Sequence, residues 1–379
     1  MEEITFLKDL LAIPSLSGEE DAFAEHLIEQ MTAMGFHARR DQVGNVIGAL
    51  GDSQARQTFV LLGHLDTVAG EIPIRQEDGK LYGRGAVDAK GPLAAFVLAA
   101  ARAAPHLGDA CVFVIGAVEE EAHSRGAHHL ARTMAPPSGV IIGEPSGWEG
   151  ITLGYKGTLS VDYRLIRAAG HGASNRVSPA EEAVSFWNRL VDHAAEYNQE
   201  RHPPSFDTLD PSLRAICTGD GGPGNVGMED SVEMSIGLRL PREINQEVLQ
   251  QRIGSWRGEA EVAFPYSEPP FRADKNTAVV RALLRGIRAA NGRPRFKLKT
   301  GTSDMNVVGP AWRCPIAAYG PGNSALDHTP DERIDVEEFG KGIDVLAHAL
   351  HSVASTPMAI DRTRLTFPVR VVPSAPWTE

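Results

Sequence analysis

The sequence predicts an α/β protein: a mostly parallel mixed sheet covered by helices, interrupted by a smaller α+β insert. Three observations predict it. Apolar runs of strand length, FVLLGH at 59–64, ACVFVIGAV at 110–118 and GVIIGEP at 139–145, alternate with helix-length segments over residues 1–150. Near residue 151 the pattern changes. TLGYKGTLSVDYRLI (152–166) and SVEMSIGLRLP (231–241) alternate apolar and polar residues, as half-exposed antiparallel strands do. From about residue 269 the first pattern returns. A chain of 379 residues, 42% hydrophobic and 23% charged, has room for two such units.

The elements follow in order. Phe6, Leu7, Leu10 and Leu11 share one helical face. Ser17-Gly-Glu-Glu20 reads as a capping box before Phe23, Leu27, Ile28, Met31 and Met34, and Gly35 as the residue that ends that helix. Strands are expected at 43–50 and 58–64. Pro92 reads as the first residue of a helix whose segment 93–104 is apolar all round and therefore buried. In the second part, helices are expected at 179–198 and 245–256 and a strand at 259–264, with loop over 200–230. The returning pattern gives a helix at 276–291, strands at 296–299 and 315–319, and a helix at 335–350. Residues 352–379 read as a tail.

Composition excludes several classes. A net charge of −12 argues against nucleic-acid binding. No apolar run reaches the ~20 residues that span a bilayer. The acidic start MEEITFLKDLL does not resemble an export signal, so a cytoplasmic protein is expected. Cys111, Cys217 and Cys314 form neither a CxxC pair nor a disulfide set.

The polar residues at strand ends carry the chemistry. His64 and Asp66 lie two apart, on one face of extended chain, where an imidazole can bind a metal and a carboxylate can orient it. Asp88 in GRGAVDAKG reads alone as a turn or cap residue, Glu144 in GEP as a turn carboxylate, and His328 in LDHTPDE as a loop histidine. Glu119-Glu120-Glu121 repel one another unless cations compensate them. Parallel strands bring such ends together. There, His64, Asp88, Glu120 or Glu121, Glu144 and His328 make a donor set suited to zinc, cobalt or manganese. With Asp88 shared, it would hold two ions. A spare glutamate would serve as general base.

The combined set GHLDTV, GRGAVDAKG, VEEE, GEP and DHTPDE resembles the M20 family of metallopeptidases and deacylases, in the right order over residues 1 to about 350. The resemblance implies a phosphorylase/hydrolase-like catalytic domain over 1–153 and 268–352. It also implies a ferredoxin-like lid and dimerisation domain over 154–267, and a homodimer. It implies two divalent metal ions, zinc the first choice and cobalt the second. His64, Asp88 and Glu144 would hold one ion, and Asp88, Glu121 and His328 the other. Asp66 would orient His64, and a cis peptide would join Asp88 to Ala89. Counting back from Gly126 makes Glu121 the ligand and Glu120 the base; a one-residue slip would give Glu120 and Glu119 those roles. His171 in AAGHGASNR would reach a neighbouring subunit's site to bind the oxyanion, and Asn175 and Arg239 would bind a substrate carboxylate. His123, His128 and His129 match no ligand position and are expected on the surface or in supporting roles.

Residues 299–332 resemble the branch of the family that releases lysine or ornithine from an amino-group carrier protein in lysine or arginine biosynthesis. There the α-amino group of the amino acid is held as an amide on the carrier's terminal glutamate. Ser303, Asp304 and Asn306 would meet the polar end of the substrate, although Asp304 also suits a helix N-terminus. The basic run RPRFKLK, with Arg293, Arg295, Lys297 and Lys299, reads either as a docking patch for an acidic carrier or as a solvated strand edge. The alternatives are an acetylornithine deacetylase or dipeptidase of the same family, and a non-catalytic binding protein on the same fold. GRGAVDAKG lacks the GxGxxG spacing of a dinucleotide site.

Overall fold

The computed structural model describes residues 3–52, 55–168, 176–202, 204–219 and 229–355. Helices α1 (Glu3–Leu11) and α2 (Asp21–Ala33) lead into strands β1 (His37–Arg40), β2 (Val46–Gly51) and β3 (Gln57–His64). Short strands β4 (Arg75–Glu77) and β5 (Lys80–Tyr82) precede α3 (Lys90–Ala103), β6 (Ala110–Ala117), α4 (Arg125–Thr133), β7 (Gly139–Ile142) and β8 (Gly150–Tyr155). Next come β9 (Gly157–Ala168), α5 (Pro179–Arg201), β10 (Asp210–Thr218), β11 (Glu229–Leu240), α6 (Gln246–Ser255), β12 (Glu261–Ala263) and β13 (Ser267–Glu268). The chain closes with β14 (Phe271–Arg272), α7 (Ala278–Ala289), β15 (Arg295–Lys299), α8 (Asp304–Trp312), β16 (Ile316–Ala318), β17 (Arg333–Asp335) and α9 (Val336–Ala354).

The main sheet runs β1-β2-β6-β3-β7-β16-β8-β14, with β15 beside β8. Its centre is parallel: β6, β3, β7 and β16 all run one way. The β1-β2-β6 flank and the β16-β8-β14 flank are antiparallel, so the sheet is mixed rather than mostly parallel. One face is covered by α1, α2, α3, α7 and α9 and the other by α4 and α8, each with its own apolar cluster. The all-round apolar composition of α3 is explained by its position, since most of its residues are buried.

Residues 157–268 build a second, antiparallel sheet, β10-β11-β9-β12 with β13, whose core includes residues of α5 and α6. The 152–166 segment is two strands. β8 belongs to the main sheet and β9 to the second, and the chain crosses between them at Lys156. Buried Lys156 fastens that crossing. Its ammonium donates to Asp210 Oδ2 at 2.5 Å and to Thr208, and its carbonyl accepts from Asn306 Nδ2 at 3.1 Å.

Several local expectations are corrected. Ser17-Glu20 makes no capping box: Glu20 precedes α2 without a side-chain cap, and Ser17 donates to Asp66 instead. Pro92 is the third residue of α3, not the first. The 200–230 stretch contains β10. A helix, α8, follows β15 where none was expected.

A contact between the two sheets involves His128 of α4, whose Nε2 lies 2.6 Å from Glu268 Oε1 in β13. That hydrogen bond raises the His128 pKa above 6.5, against partial burial and Arg132. A raised histidine pKa gives stability that is complete below the ordinary value and lost as pH rises through the folded one. His128→Ala should therefore lower the melting temperature more at pH 6 than at pH 9. Thermal unfolding of both proteins at the two pH values measures this.

Candidate metal centre

The parallel strands end on one rim, and the site is built there. His64 is the last residue of β3, Glu119–Glu121 follow β6, Glu144 follows β7, and His328 lies in the loop after β16. Asp88 sits just before α3, and the Asp88–Ala89 peptide is cis.

Three donor triads form on this rim: His64, Asp88 and Glu144; Asp88, Glu121 and His328; and His64, Glu120 and Glu121. Within each, one ligand atom per residue lies within 4.8 Å of the others. Asp88 is shared by the first two. Its Oδ1 is 3.3 Å from His64 Nε2 and its Oδ2 is 3.1 Å from His328 Nε2, so each oxygen faces one imidazole. Glu121 Oε1 stands 2.8 Å from His328 Nε2. Glu119 turns away to Arg125 Nε at 2.7 Å.

His64 is fully buried, and its tautomer follows from its neighbours. Nδ1 lies 2.9 Å from the Asp66 carbonyl, which can only accept, so Nδ1 carries a hydrogen. The Asp66 carboxylate is 3.3 Å from the same nitrogen. It also accepts from the backbone N–H groups of Glu120 at 3.1 Å and Glu121 at 3.0 Å, and from Ser17 Oγ at 2.7 Å. Asp66 thus positions the glutamates as well as the histidine.

Glu332 is a positioning residue that sequence reasoning did not single out. Fully buried, it accepts from Val87 N at 2.8 Å, Asp88 N at 3.0 Å and Arg84 Nη1 at 2.6 Å. It fixes the backbone that carries Asp88. Glu20 likewise accepts from Glu119 N at 3.0 Å. Gly126 permits Asn45 to brace the glutamate turn: a Cβ there would meet Asn45 Oδ1 at 2.3 Å and Val118 N at 2.6 Å.

The electrostatics tests whether cations fit. Burial, then the nearby Asp88, pushes Glu144 up to about 8. Burial also raises Glu120 well above its ordinary value, with Glu144 and Glu121 adding to it. Its hydrogen bonds to Asp88 and Glu121 push His328 up to about 10. Against burial, its bonds to His328 and His64 hold Asp88 below the usual carboxylate range. The ring thus crowds four carboxyl groups around two imidazoles, oxygen and nitrogen donors throughout, which fits divalent cations.

The remaining predicted residues divide. Asp304, at the start of α8, is buried and pushed up to about 7 by burial; its Oδ1 has no hydrogen-bond partner. Ser303 and Asn306 form a capping box at the N-terminus of α8, and Asn306 Nδ2 also donates to Pro269 O at 2.7 Å. Arg239 Nη1 donates to Thr302 Oγ1 at 2.8 Å. His171 and Asn175 lie outside the described residues. His123 packs on the Tyr266 ring, and His129 lies 3.8 Å from Asp41. Neither these two nor His128 joins a donor triad among the described residues.

A ring of imidazole and carboxylate donors at the parallel rim of an α/β sheet is the arrangement of a metallohydrolase. The chain belongs to Peptidase family M20/M25/M40, whose model matches residues 60–352. It is 42% identical over 352 residues to a LysW-lysine hydrolase of Deinococcus radiodurans, covering 91% of this chain and 95% of the relative. It is 37% identical to a putative LysW-lysine/LysW-ornithine hydrolase of Thermococcus kodakarensis, covering 93% of this chain and 92% of the relative. In structure it is similar to the M20 metallo-carboxypeptidase Sso-CP2 of Sulfolobus solfataricus, with a TM-score of 0.77 at 18% identity, covering 93% of this chain and 99% of the other. It is also similar to YXEP of Bacillus subtilis, described as a dinuclear metal-binding peptidase of the family, with a TM-score of 0.65 at 15% identity over 94% and 98%. Peptidases of the family are dinuclear metal enzymes.

Removing Glu332 strands three buried donors. Glu332→Ala should destabilise the fold by about 3–5 kcal/mol, measured by denaturant unfolding, whereas Glu119→Ala should change stability far less.

Proposed function

We propose that this chain is a metal-dependent amide hydrolase that releases lysine or ornithine from an amino-group carrier protein. The observation that carries the chemistry is the placement of Asp88, one oxygen toward each imidazole of the ring. The substrate class rests on the names of relatives as much as 42% identical.

His64, Asp88 and Glu144 would hold one divalent cation, and Asp88, Glu121 and His328 the other; zinc is the first choice for this donor set and cobalt the second. Cations held there polarise an amide carbonyl and acidify water. Glu120 takes a proton from the attacking water and passes it to the nitrogen as the carbon–nitrogen bond breaks. The turn of Glu119 toward Arg125, which leaves Glu120 and Glu121 on the ring, supports this register. Asp66 keeps His64 in its Nδ1–H form and Glu120 in reach.

Arg239 suits the carboxylate of the leaving amino acid, and Asp304, whose Oδ1 has no hydrogen-bond partner, suits its side-chain ammonium. Ser303 and Asn306 serve this subsite by holding the α8 N-terminus. The second sheet would act as the lid and dimerisation unit of a homodimer, with His171 the expected donor to the oxyanion in a neighbouring subunit's site and Asn175 an expected partner of the substrate carboxylate. Arg293 and Arg295 touch Glu149 through their backbone N–H groups, and their exposed side chains offer a docking edge to an acidic carrier.

Two outcomes are expected. Glu120→Gln should lower kcat on carrier-linked lysine by about 100- to 10,000-fold while metal content by elemental analysis stays at the parent level; lost metal would move Glu120 from base to ligand. Reversing Arg293 and Arg295 to Glu should raise KM for carrier-linked lysine relative to N-acetyl-lysine. Equal changes for both substrates would remove the docking role, and a parent enzyme that prefers N-acetylornithine would make it a deacetylase.

A further inference from the structure

Arg295, Lys297 and Lys299 alternate with Phe296 and Leu298 along β15, so the three cations share one face of the strand. That face runs toward the metal centre. Lys297 Nζ donates to Ser146 O at 2.6 Å, two residues beyond Glu144. Lys299 comes next, half-buried, with its ammonium 5.8 Å from the centre of the Tyr155 ring and its charge acting on Glu144 and Asp327.

Buried lysines that serve the fold here are bonded. Lys90 donates to the carbonyls of Leu10 and Ile13, and Lys156 to Asp210 and Thr208. The Lys299 ammonium has neither a hydrogen bond nor an ion pair among the described residues. Of the two carboxyl groups its charge acts on, Glu144 belongs to the donor ring and would be engaged by a cation held there, and Asp327 makes no ion pair with Lys299 among the described residues.

The bond from Lys297 to Ser146 O ties β15 to the loop that carries Glu144, so the strand meets the ring on its Glu144 side. A carrier is the acyl side of the scissile amide, and the exposed basic residues of β15 are where an acidic carrier can lie, so the acyl group follows the Lys299 face. We infer that Lys299 is a specificity residue that pairs with a carboxylate on the acyl side of the scissile amide, as a γ-linked glutamate presents. The acyl group then continues outward along the basic face of β15. This rests on the amide-hydrolase reading above.

The test compares γ-glutamyl-lysine with 4-aminobutanoyl-lysine, which differ only in the acyl carboxylate, on the metal-loaded full chain. The parent should prefer the first in kcat/KM. Lys299→Met should shrink that preference by about 10- to 100-fold, mainly through KM, and Lys299→Arg should retain part of it. A parent that hydrolyses both without preference overturns the inference alone, as does an undiminished preference in Lys299→Met or, if that variant does not fold, complete loss of preference in a folded Lys299→Arg. A parent that cleaves neither dipeptide nor carrier-linked lysine overturns the hydrolase reading and this inference together.

Discussion

The structure is organised around a repulsion. Asp88, Glu120, Glu121 and Glu144 are drawn into one partly buried ring on the sheet rim, with members of each triad within 4.8 Å of one another. Two like charges at that separation repel by about 3 kcal/mol at an effective dielectric of 20. In the absence of cations, the imidazoles and shared protons offset that cost, as the upward shifts of Glu144 and His328 show. The fold therefore invests its stability elsewhere, in two apolar clusters on the faces of the sheet, and holds an electrostatically unfavourable ring ready for divalent cations.

Holding it requires more than the donors themselves. Asp66, Glu332 and Glu20 each accept backbone N–H groups of the segments that carry donors, and Asn45 braces the same turn. These carboxylates add negative charge near the ring, yet their oxygens are occupied by the N–H groups and by Ser17 and Arg84. The donor ring is thus set by backbone anchored from outside, the condition under which a small displacement of a donor is resisted.

Much of this was legible in the sequence, and the gaps have physical causes. Strong apolar runs marked β3, β6 and β7, and their polar ends marked the rim, because a buried parallel strand needs both features. β10 was hidden because most of its residues are exposed and it shows no burial alternation. α8 was hidden by Gly309 and Pro310, which read as breakers, although the helix carries both near its C-terminal end. Ser17 matched a cap in spacing but is drawn to Asp66, a partner from a distant strand. Glu332 stood in plain view within DHTPDE, but its role depends on the 85–90 turn folding over it, which no local pattern encodes.

The charges outside the ring complete the account. With a net charge of −12, the molecule cannot attract an acidic partner at long range. Attraction must act within roughly 8–10 Å of a local cationic surface, beyond which salt screens it. β15 is such a surface, and it is no loose appendage. Its pairing with β8 runs from Gly150 to Tyr155, and Lys297 is bonded to the loop that carries Glu144. The basic edge is thereby fastened to the same segment that supplies a donor to the ring. A partner seated along that edge would present its end at a fixed distance from the reacting carbonyl. Positioning of that kind contributes to rate as well as to affinity.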